Sequence, residues 1–186
     1  HRVKNNLAVI SSLFSLQSNN LDDEHLKTIL RQSQDRVRSM ALVHETLYSH
    51  NLAEVDFTEY VTSLSAQLLT NYSLSTGQVQ LVTELEPILL SIDMAVPCGL
   101  ILNELITNAL KHGLQDGRAG RLLVALRRTE PGRFELEVSD DGCGLPPDFD
   151  LASGNSLGKR LIRSLVKQLN GQVQFTSAQP GTRVLL

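Results

Sequence analysis

Residues 94–113, MAVPCGLILNELITNALKHG, decide how the C-terminal two-thirds of the chain folds. Apolar residues recur in this stretch at the three- and four-residue spacing of a helix. Asp93 stands just before it as a candidate N-cap, and Pro97 falls in the first turn, where proline is tolerated. Gly113 is a typical helix terminator. The pattern predicts one long helix over residues 94–112.

One side of this predicted helix carries four polar side chains whose spacing places them on a common face: Glu104, Asn108, Lys111 and His112. For a single helix, a solvated surface is the ordinary interpretation of such a face. A chemical interpretation is also open, because a carboxylate and an amide oxygen one turn apart suit Mg²⁺ and its waters. A cation one turn further along suits the phosphates that such a metal would bridge.

A glycine-rich turn, Asp140-Asp141-Gly142-Cys143-Gly144, follows a predicted strand. An acid at a strand end followed by Gly-x-Gly is often only a turn. A buried Asp140 carboxylate could instead accept a hydrogen bond from an adenine amine, while Gly142 and Gly144 would let the backbone approach a ligand closely. Taken alone, the motif leaves both interpretations open.

Two further motifs lie downstream. Residues 154–158, Gly-Asn-Ser-Leu-Gly, open a predicted helix whose first backbone amides would attract phosphate. They do not form a P-loop, because the G-x-x-x-x-G-K-[ST] spacing is missing. The plain alternative is a flexible loop with a helix cap, followed by Lys159 and Arg160 as surface charges. Pro180-Gly181-Thr182 separates the last two predicted strands, and a hairpin turn explains it fully.

The elements around the long helix predict an α+β sandwich. Asp56 begins a helix that reaches residue 72, with Glu59 placed as in a capping box, and another helix covers residues 157–169. Period-two alternation predicts a strand over residues 79–86. Short apolar segments between turn residues predict five more: residues 88–92, 121–128, 133–138, 173–176 and a last strand after Gly181, with Pro131-Gly132 as a hairpin turn between the third and fourth strands. This order places the helices on one face of a mixed sheet.

The N-terminal residues predict a separate helical hairpin. Apolar residues follow a helical period over residues 1–19: Val3, Leu7, Ile10 and Phe14. A second apolar stripe follows a short turn and ends near residue 47. Because such a hairpin buries little apolar surface alone, two copies are expected to pair as a four-helix bundle in a homodimer. We therefore divide the chain into residues 1–52 and residues 53–186.

Composition bounds the partners and the compartment. The chain has 186 residues, a net charge of −3 and no basic tract, which argues against nucleic acid as a partner. Its two cysteines, Cys98 and Cys143, fit a reducing compartment such as the cytoplasm. No apolar run reaches the roughly 20 residues that span a bilayer, so we expect no membrane contact by this segment. Helical periodicity from the first residue indicates a piece of a longer protein.

The order and spacing of the motifs resemble those of the GHKL ATPase superfamily. The face from Glu104 to His112, the turn from Asp140 to Gly144, residues 154–158 and Gly181-Thr182 are similar to its N, G1, G2 and closing Gly-Thr boxes. The resemblance covers roughly residues 75–186, and it implies a Bergerat-type α+β sandwich that binds ATP with Mg²⁺ held by Asn108. It implies nucleotide contacts from ten residues: Asn108, Lys111, His112, Asp140, Gly142, Gly144, Gly154, Leu157, Gly158 and Thr182.

The N-terminal residues resemble the dimerisation and phosphoacceptor helices of HisKA_2-type histidine kinases. Residues 1–7, HRVKNNL, are similar to the first of these helices, and residues 35–45, DRVRSMALVHE, to the second. The resemblance implies that residues 1–52 dimerise and that His1 is phosphorylated from ATP. It also implies that Glu104 orients the nucleophile or acts as base, and that a response regulator receiver domain takes the phosphoryl group on an aspartate.

Three positions depart from the family pattern. Asp141 stands where asparagine is commoner, Pro180 replaces a glycine in the closing turn, and Lys159-Arg160 is more charged than usual. None of these departures removes a group that the motifs of the family require.

Three alternatives come from other classes of protein. A GHKL serine kinase of the anti-sigma-factor kind would share the nucleotide motifs without needing a phosphoacceptor hairpin. A phosphotransfer or docking module would keep the layout with an inactive ATPase site. A structural helical adaptor would leave the order of the motifs unexplained.

Overall fold

The protein is described by a computed structural model over residues 2–19, 23, 26–27, 29–30, 33–34, 37, 41, 54–72, 79–114, 119–153 and 156–186. The chain divides into two compact units, His1–Ala53 and Glu54–Leu186, and each is described by itself.

The first unit contains helix α1, Arg2–Asn19, and helical residues between positions 26 and 41. In α1, Ser11 and Ser18 are buried, and Leu7 and Phe14 are half-buried. The expected stripe is therefore only partly inward, because Ile10 is exposed. Further exposed apolar side chains lie on these helices: Val9, Leu13, Leu16, Leu26 and Ile29.

The second unit alternates strands and helices as expected, with one additional strand. Its helices are α2, Phe57–Tyr72; α3, Ile92–Asn108, which continues as a π-helical turn, Ala109–Gly113; and α4, Leu157–Gln168. Its strands are β1, Glu54–Asp56; β2, Val79–Leu85; β3, Leu89–Ser91; β4, Gly120–Glu130; β5, Arg133–Asp140; β6, Gln174–Ser177; and β7, Thr182–Leu185.

Five strands form a mixed sheet in the order β2-β4-β5-β7-β6. The β2–β4 pair is parallel and the other pairs are antiparallel, with the β4–β5 hairpin turning at Pro131 and Gly132 as predicted. Strands β1 and β3 form a separate antiparallel pair. Helix α3 packs against α2, α4 and β5, which confirms the expected α+β sandwich.

The core lies between the helices and the sheet. Leu122, Val124 and Leu126 of β4 are fully buried at alternate positions, and Ala125 between the last two is also buried. Leu102 and Ile106 of α3 are also fully buried, and each such side chain contributes about 1.5–3 kcal/mol through burial.

Capping residues determine where the helices of this unit begin and end. Asp56 starts α2 as predicted, since its Oδ1 accepts the amides of Thr58 at 2.9 Å and Glu59 at 3.3 Å. The prediction that Asp93 caps α3 was wrong, because Ser91 occupies the cap position and Asp93 lies in the first turn. There, its charge complements the positive end of the helix dipole.

An ion-pair network fixes the strands that lead to the candidate site. The buried carboxylate of Glu137 on β5 accepts from Arg183 Nε on β7 at 2.9 Å and from Arg127 Nη1 on β4 at 3.2 Å. Arg127 Nη2 also reaches Glu84 on β2 at 2.7 Å. Four neighbouring strands are therefore tied together close to the end of β5.

Candidate functional site

The long helix does not keep α-helical geometry to its end. Its α-helical part stops at Asn108, and Lys111 and His112 lie in the π-helical turn, where the Leu114 amide donates to Ala109 O at 2.9 Å. A π turn contains an extra residue, so the spacing that places residues on a common α-helical face does not hold through it; such turns often mark functional sites. No periodicity of apolar residues signals this change in advance.

The four polar residues of this segment differ in exposure. Glu104 is 3% exposed, Lys111 is half-buried, and Asn108 and His112 are exposed. Glu104 thus lies deep in the helix packing, with an exposed amide one turn further along. This arrangement places the polar groups at different depths along one segment.

Asp140 ends β5 as a buried carboxylate, 7% exposed. Its Oδ1 accepts the Gly142 amide at 2.9 Å, and its backbone pairs with Thr182 on β7. Burial raises the pKa of Asp140, while backbone hydrogen bonds from Gly142 and Thr182 oppose that increase and the charge of Asp141 adds to it. Asp140 is thus a buried carboxylate at the end of a strand, which is what recognition of an adenine amine would require.

The turn after Asp140 is joined to the π-helical turn by two hydrogen bonds from one residue. The Cys143 amide donates to Gly113 O at 3.0 Å, and its thiol donates to His112 O at 3.0 Å. The fold therefore brings together two segments that are separate in the sequence, the end of the α3 helix and the Asp140 turn.

Glycines allow this close approach. A Cβ atom at Gly142 would lie 2.0 Å from Gly113 O, and one at Gly181 would lie 1.8 Å from Asp140 O. Gly144 and Gly181 also have positive φ angles, of 79° and 99°, which favour glycine. Packing inside the protein thus requires glycine at Gly142 and Gly181, independently of any ligand.

Asp141 has a structural role that sequence reasoning missed. Its Oδ1 accepts the Arg121 amide at 2.7 Å, and its own amide donates to Arg121 O at 3.3 Å. The contact joins residues far apart in the chain, so no local pattern announces it. An asparagine could accept the same bond without the negative charge.

The segment before residue 154 is anchored by Lys159. Its Nζ donates to Asp150 O at 2.9 Å and lies 4.3 Å from the centroid of the Phe149 ring. Phe149 in turn contacts Phe175 of β6, with ring centroids 5.0 Å apart. Arg163 Nη1 adds bonds to the carbonyls of Leu151 and Ala152.

The remaining predicted positions are placed unequally. His1 and Gly154 lie outside the described residues. Leu157 is exposed at the start of α4, Gly158 is buried, and Ser156 caps the helix by accepting the Lys159 amide, as the predicted helix start requires. Thr182 is half-buried beside Asp140 in the sheet.

The described residues contain no group of three or more His, Cys, Asp or Glu side chains able to hold a metal ion by themselves. The exposed amide of Asn108 fits Mg²⁺ nonetheless, since that ion commonly takes one or two protein oxygens and completes its shell with waters and phosphates. Across the parts of the chain that the structure covers, no helix is both long and apolar enough to span a bilayer.

Two family models match most of the chain. Residues 1–72 match a family described as histidine kinase, and residues 95–186 match a family described as histidine kinase-, DNA gyrase B- and HSP90-like ATPase. The first match contains the N-terminal helices together with β1 and α2, and the second runs from within α3 to the end of β7.

Similar curated proteins are histidine kinases. The chain is 30% identical over 189 residues to the sensor histidine kinase PdtaS of Mycobacterium tuberculosis, covering 100% of the chain and 37% of that protein. It is 27% identical to blue-light-activated histidine kinase 2 of Erythrobacter litoralis, covering 99% of the chain and 54% of that protein. The chain thus spans about a third to a half of these relatives.

A solved structure has the same fold. The histidine kinase domain of the Erythrobacter litoralis EL346 blue-light-activated histidine kinase superposes with a TM-score of 0.74 at 20% identity, covering 96% of this chain and 93% of that one. At this level of identity, the likeness extends to the fold alone.

Proposed function

Since the chain belongs to the histidine kinase family, we propose that it binds ATP with Mg²⁺, phosphorylates His1 and passes the phosphoryl group to an aspartate of a response regulator receiver domain. The observation that carries this proposal is the contact between the end of the α3 helix and the Asp140 turn through Cys143. It brings candidate phosphate-binding groups and a candidate base-reading group into one place.

Asp140 reads the adenine amine in this proposal. Its carboxylate is buried and held by the Gly142 amide, so it offers a fixed acceptor in an environment where water competes little. Gly142 and Gly144 keep the turn close to the base, and Thr182 supports Asp140 from β7. The expected ligand is therefore an adenine nucleotide.

Asn108, Lys111 and His112 face the phosphates in this proposal. Mg²⁺, when bound with ATP, would supply positive charge that neutralises the phosphates. Asn108 would hold that ion through its exposed amide oxygen, and Lys111 and His112 would add positive charge beside it. The lid over the nucleotide would be formed by Gly154, Leu157 and Gly158. It would follow the segment that Lys159 anchors through Asp150 O.

His1 is the phosphoacceptor in this proposal. A ring nitrogen of neutral His1 attacks the γ-phosphorus, the bond from that phosphorus to the β-phosphate oxygen breaks, and ADP leaves. Glu104, buried in α3, orients the imidazole or accepts its proton. Positioning and charge neutralisation contribute most of the rate, as in other phosphoryl transfers.

The N-terminal helices form a homodimer in this proposal. Val9, Leu13 and Leu16 of α1 are exposed at spacings of four and three residues, which gives one continuous apolar row. Pairing two such hairpins in a four-helix bundle would bury the row.

Incubation with γ-labelled ATP tests the proposal. We expect the chain to become labelled, Asn108→Ala to lose the label, and Gln168→Ala, an exposed amide at the end of α4, to retain it. His1→Gln should bind ATP without being labelled. A label that survives acid would support the serine kinase instead, because phosphohistidine is lost in acid and phosphoserine is not.

Thermal unfolding with added ATP tests the alternative of an inactive module. Nucleotide at a hundred times its Kd should stabilise the chain by about 2.7 kcal/mol. If ATP and Mg²⁺ leave the unfolding temperature unchanged, the kinase proposal is wrong and the docking module is favoured.

A further inference from the structure

We propose that Gly113 and Cys143 act together as a positioning device that sets the orientation of the Asp140 carboxylate and thereby the preference for adenine over other bases. The proposal rests on the proposed function, in which Asp140 reads the adenine amine. Neither residue is among the candidate catalytic or nucleotide-binding residues.

Gly113 leaves room for the Asp140 side chain. A Cβ atom at this position would lie 2.8 Å from Asp140 Oδ1 and 3.0 Å from its Cγ. The φ angle of Gly113 is not positive, so an alanine at this position would meet no backbone strain. Space, rather than backbone conformation, is therefore the reason for glycine at this position.

The Asp140 carboxylate would have to yield to a methyl group at residue 113. Its backbone is fixed by pairing with Thr182, and its Oδ1 is held at 2.9 Å by the Gly142 amide. Rotation of the side chain would break only the bond from the Gly142 amide to Oδ1, whereas movement of the backbone would break the strand pairing with Thr182. The added methyl group therefore rotates the carboxylate away from its present direction and leaves the sheet in place.

Cys143 keeps Gly113 in this position. The carbonyls at a helix C-terminus lack partners within the helix and need donors from elsewhere. Cys143 supplies two, its amide to Gly113 O and its thiol to His112 O, both at 3.0 Å. The thiol contact thus holds the π-helical turn against the Asp140 turn, and a serine would preserve a donor there.

Binding of ATP and ITP to the full chain, each with Mg²⁺, tests the device. ITP differs from ATP at the position of the adenine amine, where it carries an oxygen. We expect the unchanged chain to prefer ATP, and Gly113→Ala to lose about tenfold in ATP affinity while ITP affinity changes little. Gly171→Ala is the matched control, because a Cβ there meets only ordinary contacts at 3.9 Å.

Two variants at Cys143 separate positioning from general packing. Cys143→Ala should reduce the ATP preference several-fold in the same direction as Gly113→Ala, and Cys143→Ser should restore most of it. Circular dichroism establishes that each variant is folded, and if Gly113→Ala does not fold, the Cys143 pair alone decides.

Two results would overturn the inference. The first is that Gly113→Ala and Gly171→Ala show the same ratio of ATP affinity to ITP affinity. The second is that Gly113→Ala loses affinity for ATP and ITP equally, which a general loosening of the fold would cause. If the unchanged chain binds neither nucleotide, the proposed function has failed. If the chain binds ATP normally and Gly113→Ala and Cys143→Ala keep its preference, only the positioning device has failed.

Discussion

Helices α1 and α3 have similar lengths but differ in how far their apolar side chains are exposed. In α1, Val9 and Leu16 are 60% and 62% exposed, whereas in α3 Leu102 is 0% exposed. The apolar residues of α3 are covered by its own unit, by α2, α4 and β5. By contrast, Val9, Leu13 and Leu16 of α1 are more than half exposed in the described part of the chain.

This difference separates what one chain stabilises from what an assembly stabilises. A continuous row of exposed apolar side chains is uncommon on a monomer and marks an interaction surface. We infer that the stability of α3 is a property of the single chain, and that the stability of α1 depends on the concentration of the protein.

The largest effect should come from truncating a leucine in each helix. Leu102→Ala leaves a cavity in a closed core and should lower the free energy of unfolding by about 2–5 kcal/mol. That loss should be independent of protein concentration, because the contacts lie within one unit. Leu16→Ala should cost less than about 1 kcal/mol in dilute protein and more in concentrated protein. Urea unfolding followed by circular dichroism at two concentrations measures both.

The comparison fails if the two variants behave alike. A concentration-independent loss of several kcal/mol for Leu16→Ala would mean that α1 is covered within its own chain. A concentration-dependent loss for Leu102→Ala would mean that the second unit is itself stabilised by association.

The period of the apolar residues predicted the second unit well because its elements are each half-buried against one core. All six expected strands are present, and Asp56 caps the start of α2 as expected. Strand β1 was missed, since three residues are too few to establish a period and their partner β3 is far along the chain. The predicted hairpin turns at Gly132 and Gly181 are also present, and both glycines have positive φ.

The details of the candidate site were less predictable because they arise from contacts between distant residues. The π-helical turn is contacted by Cys143, which donates to the carbonyls of His112 and Gly113, about thirty positions earlier. The bond from Arg121 to Asp141 and the contact of Lys159 with Phe149 are equally invisible to local spacing. Motif order placed the segments, and tertiary contacts set their geometry.

A charge on the exposed row of α1 should weaken association next most strongly. Leu13→Asp would place a carboxylate in the proposed dimer interface, and we expect the dimer Kd to rise by about ten- to a hundredfold, or roughly 1.4–2.8 kcal/mol. Thr62→Asp adds the same charge at an exposed position of α2 and should leave the Kd unchanged. Sedimentation equilibrium measures both Kd values. Equal Kd values for the two variants would mean that the exposed row of α1 does not form the dimer interface.

The smallest effect should be a pH dependence of the second unit that arises from Asp140. Helix α1 contains no acidic residue, whereas burial raises the pKa of Asp140 above its ordinary value of 3.8. The folded chain then holds a proton that the unfolded chain releases, so the stability contributed by Asp140 is full below pH 3.8 and is lost as the pH rises through the raised pKa.

Asp140→Asn removes this titration and isolates it. Relative to the variant, the unchanged chain should lose stability as the pH rises above 3.8, by less than the roughly 1.4 kcal/mol per pH unit that one proton allows. Asp141→Asn removes a charge that raises the same pKa while leaving an oxygen to accept from Arg121, so it should shift the loss to lower pH. Urea unfolding at several pH values measures the differences. Parallel curves of unfolding free energy against pH for the unchanged chain and Asp140→Asn would mean that the carboxylate is as well solvated in the folded chain as in the unfolded chain. Asp140 would then not be the buried acceptor that the proposed recognition of adenine requires.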